Sequence, residues 1–222
     1  MSSTKWVFPE TLKTKLKNAK IMAVLVIDDA QDAVVAAQAL IDGGITAIEL
    51  ALRTPASIQA LINIKQALPQ MITGVGTVLT PEQVEQIAPY TDLIVTPGCN
   101  PKIIKTASQH NIPIAPGISN PSDIETAVEL GCRIMKIFPA ENLGGLSYLN
   151  AINAPYDHLG VSYIPLGGIN GKNCREYSTH PKILCIGGSW IAPRKLIQSK
   201  DWKQITENAQ DAMALCSEQE AV

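Results

Sequence analysis

Short apolar runs rich in Val, Ile and Leu alternate along the chain with longer stretches whose apolar residues recur at helical spacing. The runs are "IMAVLVI" 21–27, "AIELAL" 47–52, "ITGVGT" 72–77, "LIVTPG" 93–98, "IPIAPG" 112–117, "IMKIF" 134–138, "SYIPLGG" 162–168 and "ILCIGG" 183–188. Near-continuous apolar strands are buried on both faces, which calls for a parallel sheet covered by helices. Thr80-Pro81-Glu82 and Asn120-Pro121-Ser122 each put a capping side chain before a proline, so helices are expected to begin there. Eight such repeats in 222 residues predict an α/β fold of the (β/α)8 TIM-barrel type, with an extra N-terminal helix at about 5–19. An open doubly wound sheet is the alternative, but no G-x-G-x-x-G follows the first run. No linker, low-complexity tract or charge run divides the chain. Residues 20–222 are therefore expected to form one catalytic barrel domain, and residues 1–19 an N-terminal helical segment.

Period-two alternation assigns the polar residues on these strands to a face. In "AIELALR", Ile48, Leu50 and Leu52 suit the helix layer, which turns Ala47, Glu49, Ala51 and Arg53 into the barrel. In "IMKIF", Met135 and Ile137 face the helices and leave Ile134, Lys136 and Phe138 inside. A buried ammonium is expensive unless it is paired or has lost its proton. One reading neutralises Lys136 with Glu49, or lets it snorkel to the rim. The other makes it an amine whose proton is destabilised by a dry surround, a nucleophile that forms a Schiff base with a ketone. Glu49 is then the candidate acid/base and Arg53 a clamp for a substrate carboxylate, unless those two simply form a local ion pair.

Two glycine-rich strand ends extend the picture. "PLGGIN" carries Gly167 and Gly168, and "CIGGSW" carries Gly188 and Ser189. Barrels bind phosphate through backbone N–H groups after their seventh and eighth strands, although G-G also serves ordinary turns. Thr77 ends the third run with a hydroxyl at the mouth, and Pro97 shapes the mouth after the fourth.

Composition narrows the classes. Hydrophobic residues at 46% and charged residues at 17% provide for a sizeable core, and a net charge of -2 without a basic block argues against nucleic acid. No segment has signal-peptide or membrane-spanning character. Five scattered cysteines without C-x-x-C fit free thiols in a reducing cytosol, so a cytoplasmic location is expected. The three histidines show no metal-ligand spacing, and no metal or other cofactor is expected.

Taken in order from about residue 20 to 193, "IELALRT", "GVGTVLTPEQ", "VTPG", "KIFPAE", "PLGGI" and "IGGSW" resemble the 2-keto-3-deoxy-6-phosphogluconate (KDPG) / 4-hydroxy-2-oxoglutarate (KHG) aldolase family. The resemblance implies a class I aldolase on a (β/α)8 barrel, a homotrimer, and a place in carbohydrate metabolism of the Entner–Doudoroff kind. It implies Lys136 as the Schiff-base lysine and Glu49 as the proton-transfer group. Arg53 and Thr77 would then hold the keto-acid carboxylate, Phe138 would wall the pocket, and Gly167, Gly168, Gly188 and Ser189 would receive phosphate. The substrates implied are small 2-keto-4-hydroxy acids, with pyruvate as a product. Ala51 and Leu166 depart from the pattern, standing where "LEVTLRT"- and "PTGGI"-type sequences carry threonine. Two other readings remain open on the residues alone: a phosphate-binding epimerase or synthase barrel without a Schiff base, and a non-catalytic barrel that binds a phosphorylated acid.

Overall fold

The computed structural model describes residues 8–217; residues 5–7 of the expected first helix and residues 218–222 lie outside the described residues. Its strands are β1 Ile21–Leu25, β2 Ala47–Ala51, β3 Ile72–Gly76, β4 Leu93–Val95, β5 Ile114–Ala115, β6 Gly117–Ile118, β7 Ile134–Ile137, β8 Ser162–Pro165 and β9 Ile186–Gly188. All pair in parallel, as a 6-stranded sheet in the order β5-β4-β3-β2-β1-β9 and a 3-stranded one in the order β6-β7-β8. Each of the expected runs contains strand, shorter than the apolar run itself.

The fifth run is cut in two at Pro116, which has no N–H to give to a ladder. Its carbonyl still accepts from Lys136 N at 2.9 Å, so the chain passes from β5 to β6 without leaving the wall. A parallel bridge from Tyr163 to Ile183 ties β8 to the segment entering β9. The result is a curled parallel sheet with helices alternating along the chain, an α/β barrel-like fold.

The alternation read from the sequence separates two apolar layers. Ile48, Leu50, Val75, Met135 and Ile137 pack outward in the large core with the helices. Met22, Ala47, Ile72, Leu93, Val95, Ile134 and Ile164 form a second cluster inside the curl. The helix Glu10–Ala19 contributes Leu16 and Ala19 to that inner cluster, beside the first residues of β2 and β3. It therefore closes the end where the strands begin, and the open mouth lies at their C-terminal ends. The caps fall where the sequence puts them. Thr80 and Gln83 form a reciprocal capping box on the helix Pro81–Ile87, and Asn120 Oδ1 accepts from Asp123 N at 3.1 Å on Pro121–Glu129.

Candidate active site

Lys136 lies in the middle of β7 and Glu49 in the middle of β2, both pointed into the curl by the two-residue period. Lys136 Nζ meets Glu49 Oε1 at 3.3 Å, with side chains only 4% and 1% exposed. The lysine does not snorkel. Burying such a pair costs solvation that Coulomb attraction only partly offsets, so it is a poor device for stability alone. The other carboxylate oxygen, Oε2, is buried with no hydrogen-bond partner among the described residues. An acceptor left open in a dry site is ready for a donor from outside the protein.

Glycine makes room for this carboxylate. Gly76 pairs with Ala51 across β2–β3, and a Cβ on it would lie 2.0 Å from Glu49 Oε1. The Glu49 head group thus fills the space that any side chain at position 76 would need. Beneath it sits Cys185, whose thiol is pushed up to about 12 by burial and then by the Glu49 charge. The Phe138 ring centroid stands 5.0 Å from Lys136 Nζ and forms an aromatic wall against the amine.

Arg53 and Thr77 occupy the rim above Glu49. Arg53 is exposed, and its Nε donates to Thr77 Oγ1 at 3.1 Å. It makes no ion pair with Glu49 among the described residues, so the local-pair reading is corrected: each has a different partner. With Nε tied to the hydroxyl, the two terminal nitrogens of Arg53 have no acceptor among the described residues. Thr77 itself has φ +59°, a conformation costly for a β-branched residue and concentrated at functional sites.

The loop after β4 reaches the same centre. Gly117 pairs with Lys136 in the β6–β7 ladder, and a Cβ on Gly117 would lie 2.3 Å from the Pro97 carbonyl carbon. Pro97 therefore crosses directly over the neighbour of the lysine. Sequence reasoning missed what holds it there: buried Thr96 donates to Gly98 O at 2.8 Å and accepts from Gly117 N at 3.3 Å. A threonine closing a fully apolar strand just before Pro-Gly was the available signal. Also missed was Glu141, at the end of "KIFPAE". Its carboxylate accepts from the Tyr177 hydroxyl, and its Cβ lies 2.4 Å from where a Cβ on Gly168 would sit.

The glycine ends form a second group. Phe138 lies 3.2 Å from where a Cβ on Gly167 would sit, which joins the loop after β8 to the lysine strand. Gly187 takes the Leu166 side chain where its own would be, and the Trp190 ring covers Gly188. Ser189 is exposed at this rim. Gly188 and Ser189 thus flank the β8 loop, with Gly188 paired to Ala23 of β1.

A barrel-like α/β fold with a buried amine and carboxylate facing each other inside its curl suits a lyase, an aldolase of class I, and the relatives of this chain are such enzymes. The chain belongs to the KDPG and KHG aldolase family: the family described as "Aldolase: KDPG and KHG aldolase" matches residues 12–208. The 2-dehydro-3-deoxy-phosphogluconate aldolase of Treponema pallidum is 37% identical over 206 residues, covering 92% of this chain and 97% of its own. KDPG aldolase from Legionella pneumophila, solved with pyruvate captured at low pH as a covalent carbinolamine intermediate, is 33% identical with a TM-score of 0.86, covering 92% of this chain and 99% of that one. The Zymomonas mobilis ZM4 enzyme, solved with 3-phosphoglycerate, is 33% identical with a TM-score of 0.84, covering 95% and 98%. The epimerase, synthase and non-catalytic readings give way to the aldolase.

Proposed function

We propose that this aldolase cleaves 2-keto-4-hydroxy acids through a Schiff base on Lys136, with Glu49 moving the protons. The substrates are 2-keto-3-deoxy-6-phosphogluconate, giving pyruvate and glyceraldehyde 3-phosphate, and 4-hydroxy-2-oxoglutarate, giving pyruvate and glyoxylate. The observation that carries this reading is the buried contact of 3.3 Å between Lys136 Nζ and Glu49 Oε1. A carbinolamine captured in the Legionella relative supports the covalent route.

The steps follow from the pair. Lys136 passes a proton to Glu49, and the free amine attacks the C2 ketone of the substrate. Glu49 returns the proton to the carbinolamine hydroxyl, which leaves as water and gives an iminium. Glu49 then takes the C4 hydroxyl proton, the C3–C4 bond breaks, and its electron pair flows into the positively charged iminium. The aldehyde departs, Glu49 protonates the enamine at C3, and water releases pyruvate. Arg53 and Thr77 clamp the carboxylate so that C2 stays within reach of the amine. Phe138 and Pro97 wall the pocket, while Gly167, Gly168, Gly188 and Ser189 bind the distal phosphate.

The same reading extends to the architecture. Counting β5 and β6 as one run interrupted by Pro116 gives eight strands, and the Tyr163–Ile183 bridge supports closure into a (β/α)8 barrel. The domain expected over residues 20–222 is described from 20 to 217, and the helix before it is an addition to the eight-unit plan. Among the described residues no helix is long and apolar enough to cross a membrane. The enzyme is read as a cytoplasmic homotrimer with small-molecule partners.

The test is kcat/KM for pyruvate release from the two acids. Both should be cleaved, the phosphorylated one at least ~10-fold better, since charge-assisted bonds to phosphate are strong. Absence of pyruvate from either acid contradicts the proposal.

A further inference from the structure

The loop after β8 fixes the direction of its own peptide groups. The Leu166 carbonyl accepts from Ala140 N at 2.7 Å, and the Gly167 carbonyl from Glu141 N at 3.0 Å. The Gly168 carbonyl accepts twice, from Asn170 Nδ2 at 2.9 Å and Asn173 Nδ2 at 3.2 Å. In a planar trans peptide the following N–H points opposite to the carbonyl. Three consecutive carbonyls engaged by protein donors therefore turn the N–H groups of Gly167, Gly168 and Ile169 away from those donors. None of the three has an acceptor among the described residues. The first two carbonyls face the segment after β7, so the Gly167 and Gly168 N–H groups face the β9 side, where Gly188 and Ser189 sit.

The turn requires φ of +90° at Gly167 and +87° at Gly168. The two asparagines can present only their NH2 groups to it. Asn170 Oδ1 already accepts from Lys172 N at 2.9 Å, and Asn173 Oδ1 from Asn170 N at 2.8 Å. Each side-chain amide is thereby oriented, its oxygen used locally and its donor turned on the Gly168 carbonyl.

We propose that Asn170 and Asn173 are positioning residues for the substrate phosphate. By holding the Gly168 carbonyl back, they aim the Ile169 N–H of the same peptide at a phosphoryl group, beside the Gly167 and Gly168 N–H groups that the Ala140 and Glu141 donors orient. They act through the Gly168 peptide and need not touch the substrate. The inference rests on the reading that this loop binds phosphate.

The experiment measures kcat and KM for the phosphorylated and unphosphorylated acids, and inhibition by inorganic phosphate, in wild type, Asn170→Ala and Asn173→Ala. Each variant should raise KM for the phosphorylated acid by about 10-fold while kcat moves less than about twofold, the pattern of lost binding rather than lost chemistry. The inhibition constant for inorganic phosphate should rise in parallel, and the unphosphorylated acid should lose less than about twofold. Equal losses on both acids mark a merely structural role and overturn the proposal, as does a phosphorylated KM that stays at the wild-type value. The asparagines donate separately, so one soluble variant is enough to decide. If wild type treats both acids alike and ignores phosphate, the phosphate reading falls and the proposal falls with it. If wild type prefers phosphate and both variants keep that preference, only the role of the asparagines falls.

Discussion

Lys136 and Glu49 share one buried contact, and among the described residues Glu49 keeps one oxygen without a partner, so the carboxylate holds the amine with Oε1 and presents Oε2 to whatever enters. Four proton movements in the proposed cycle use this group. Glu49→Gln keeps the shape and the hydrogen bond but loses the base. It should lower kcat for cleavage by about 100- to 10,000-fold, the usual range for a lost general acid/base, with a much smaller change in KM. Steady-state kinetics on either keto acid checks this; a kcat within a few-fold of wild type assigns the protons to another group. Arg53 behaves differently. Among the described residues its partner is a hydroxyl held by a strained backbone, so its guanidinium is pre-set by Thr77 and not neutralised by the Glu49 carboxylate.

At the level of strands, the site depends on glycines that leave space. Gly76 ends β3 against Glu49, Gly117 lies under Pro97, and Gly187 accommodates Leu166. Gly76→Ala puts a methyl 2.0 Å from Glu49 Oε1, and the carboxylate must swing away from Lys136. We expect kcat to fall about 100-fold or more, because displacements near 1 Å have that effect, while circular dichroism keeps the wild-type spectrum. Unchanged kcat would show that the carboxylate tolerates the shift. The interior placement of Glu49 and Lys136 was legible in the sequence because it depends on one property, the two-residue period of β2 and β7. Their partners were less legible. Whether Arg53 meets Glu49 or Thr77 is decided by side-chain reach between neighbouring strands, which the period does not encode. Pro116 was visible, and its missing N–H accounts for the break between β5 and β6. Asn170 and Asn173 were not singled out in the sequence, because the carbonyl they hold is set by two glycines at positive φ.

Across the molecule, the helix Glu10–Ala19 stoppers one end of the curl and leaves the other open for chemistry. The interior is dry enough to act on its own thiols and phenols. Burial pushes Cys132, Cys185 and Tyr163 each up to about 12. Unfolded, these groups ionise near 9 or 10; folded, they keep their protons to about pH 12, so the native state binds more protons over that interval. Their contribution to stability is complete below about pH 9 and is lost as pH rises through about 12. The urea midpoint should therefore fall steadily from about pH 9 upward, and a midpoint flat to about pH 11 would contradict the buried, neutral interior. The proposed chemistry rests on one amine, and the most direct measurement is borohydride reduction in the presence of pyruvate, followed by peptide mapping. The account predicts a reduced 1-carboxyethyl adduct on the peptide carrying Lys136, absent from Lys136→Arg. An adduct on a different lysine, or full turnover with none, would contradict it.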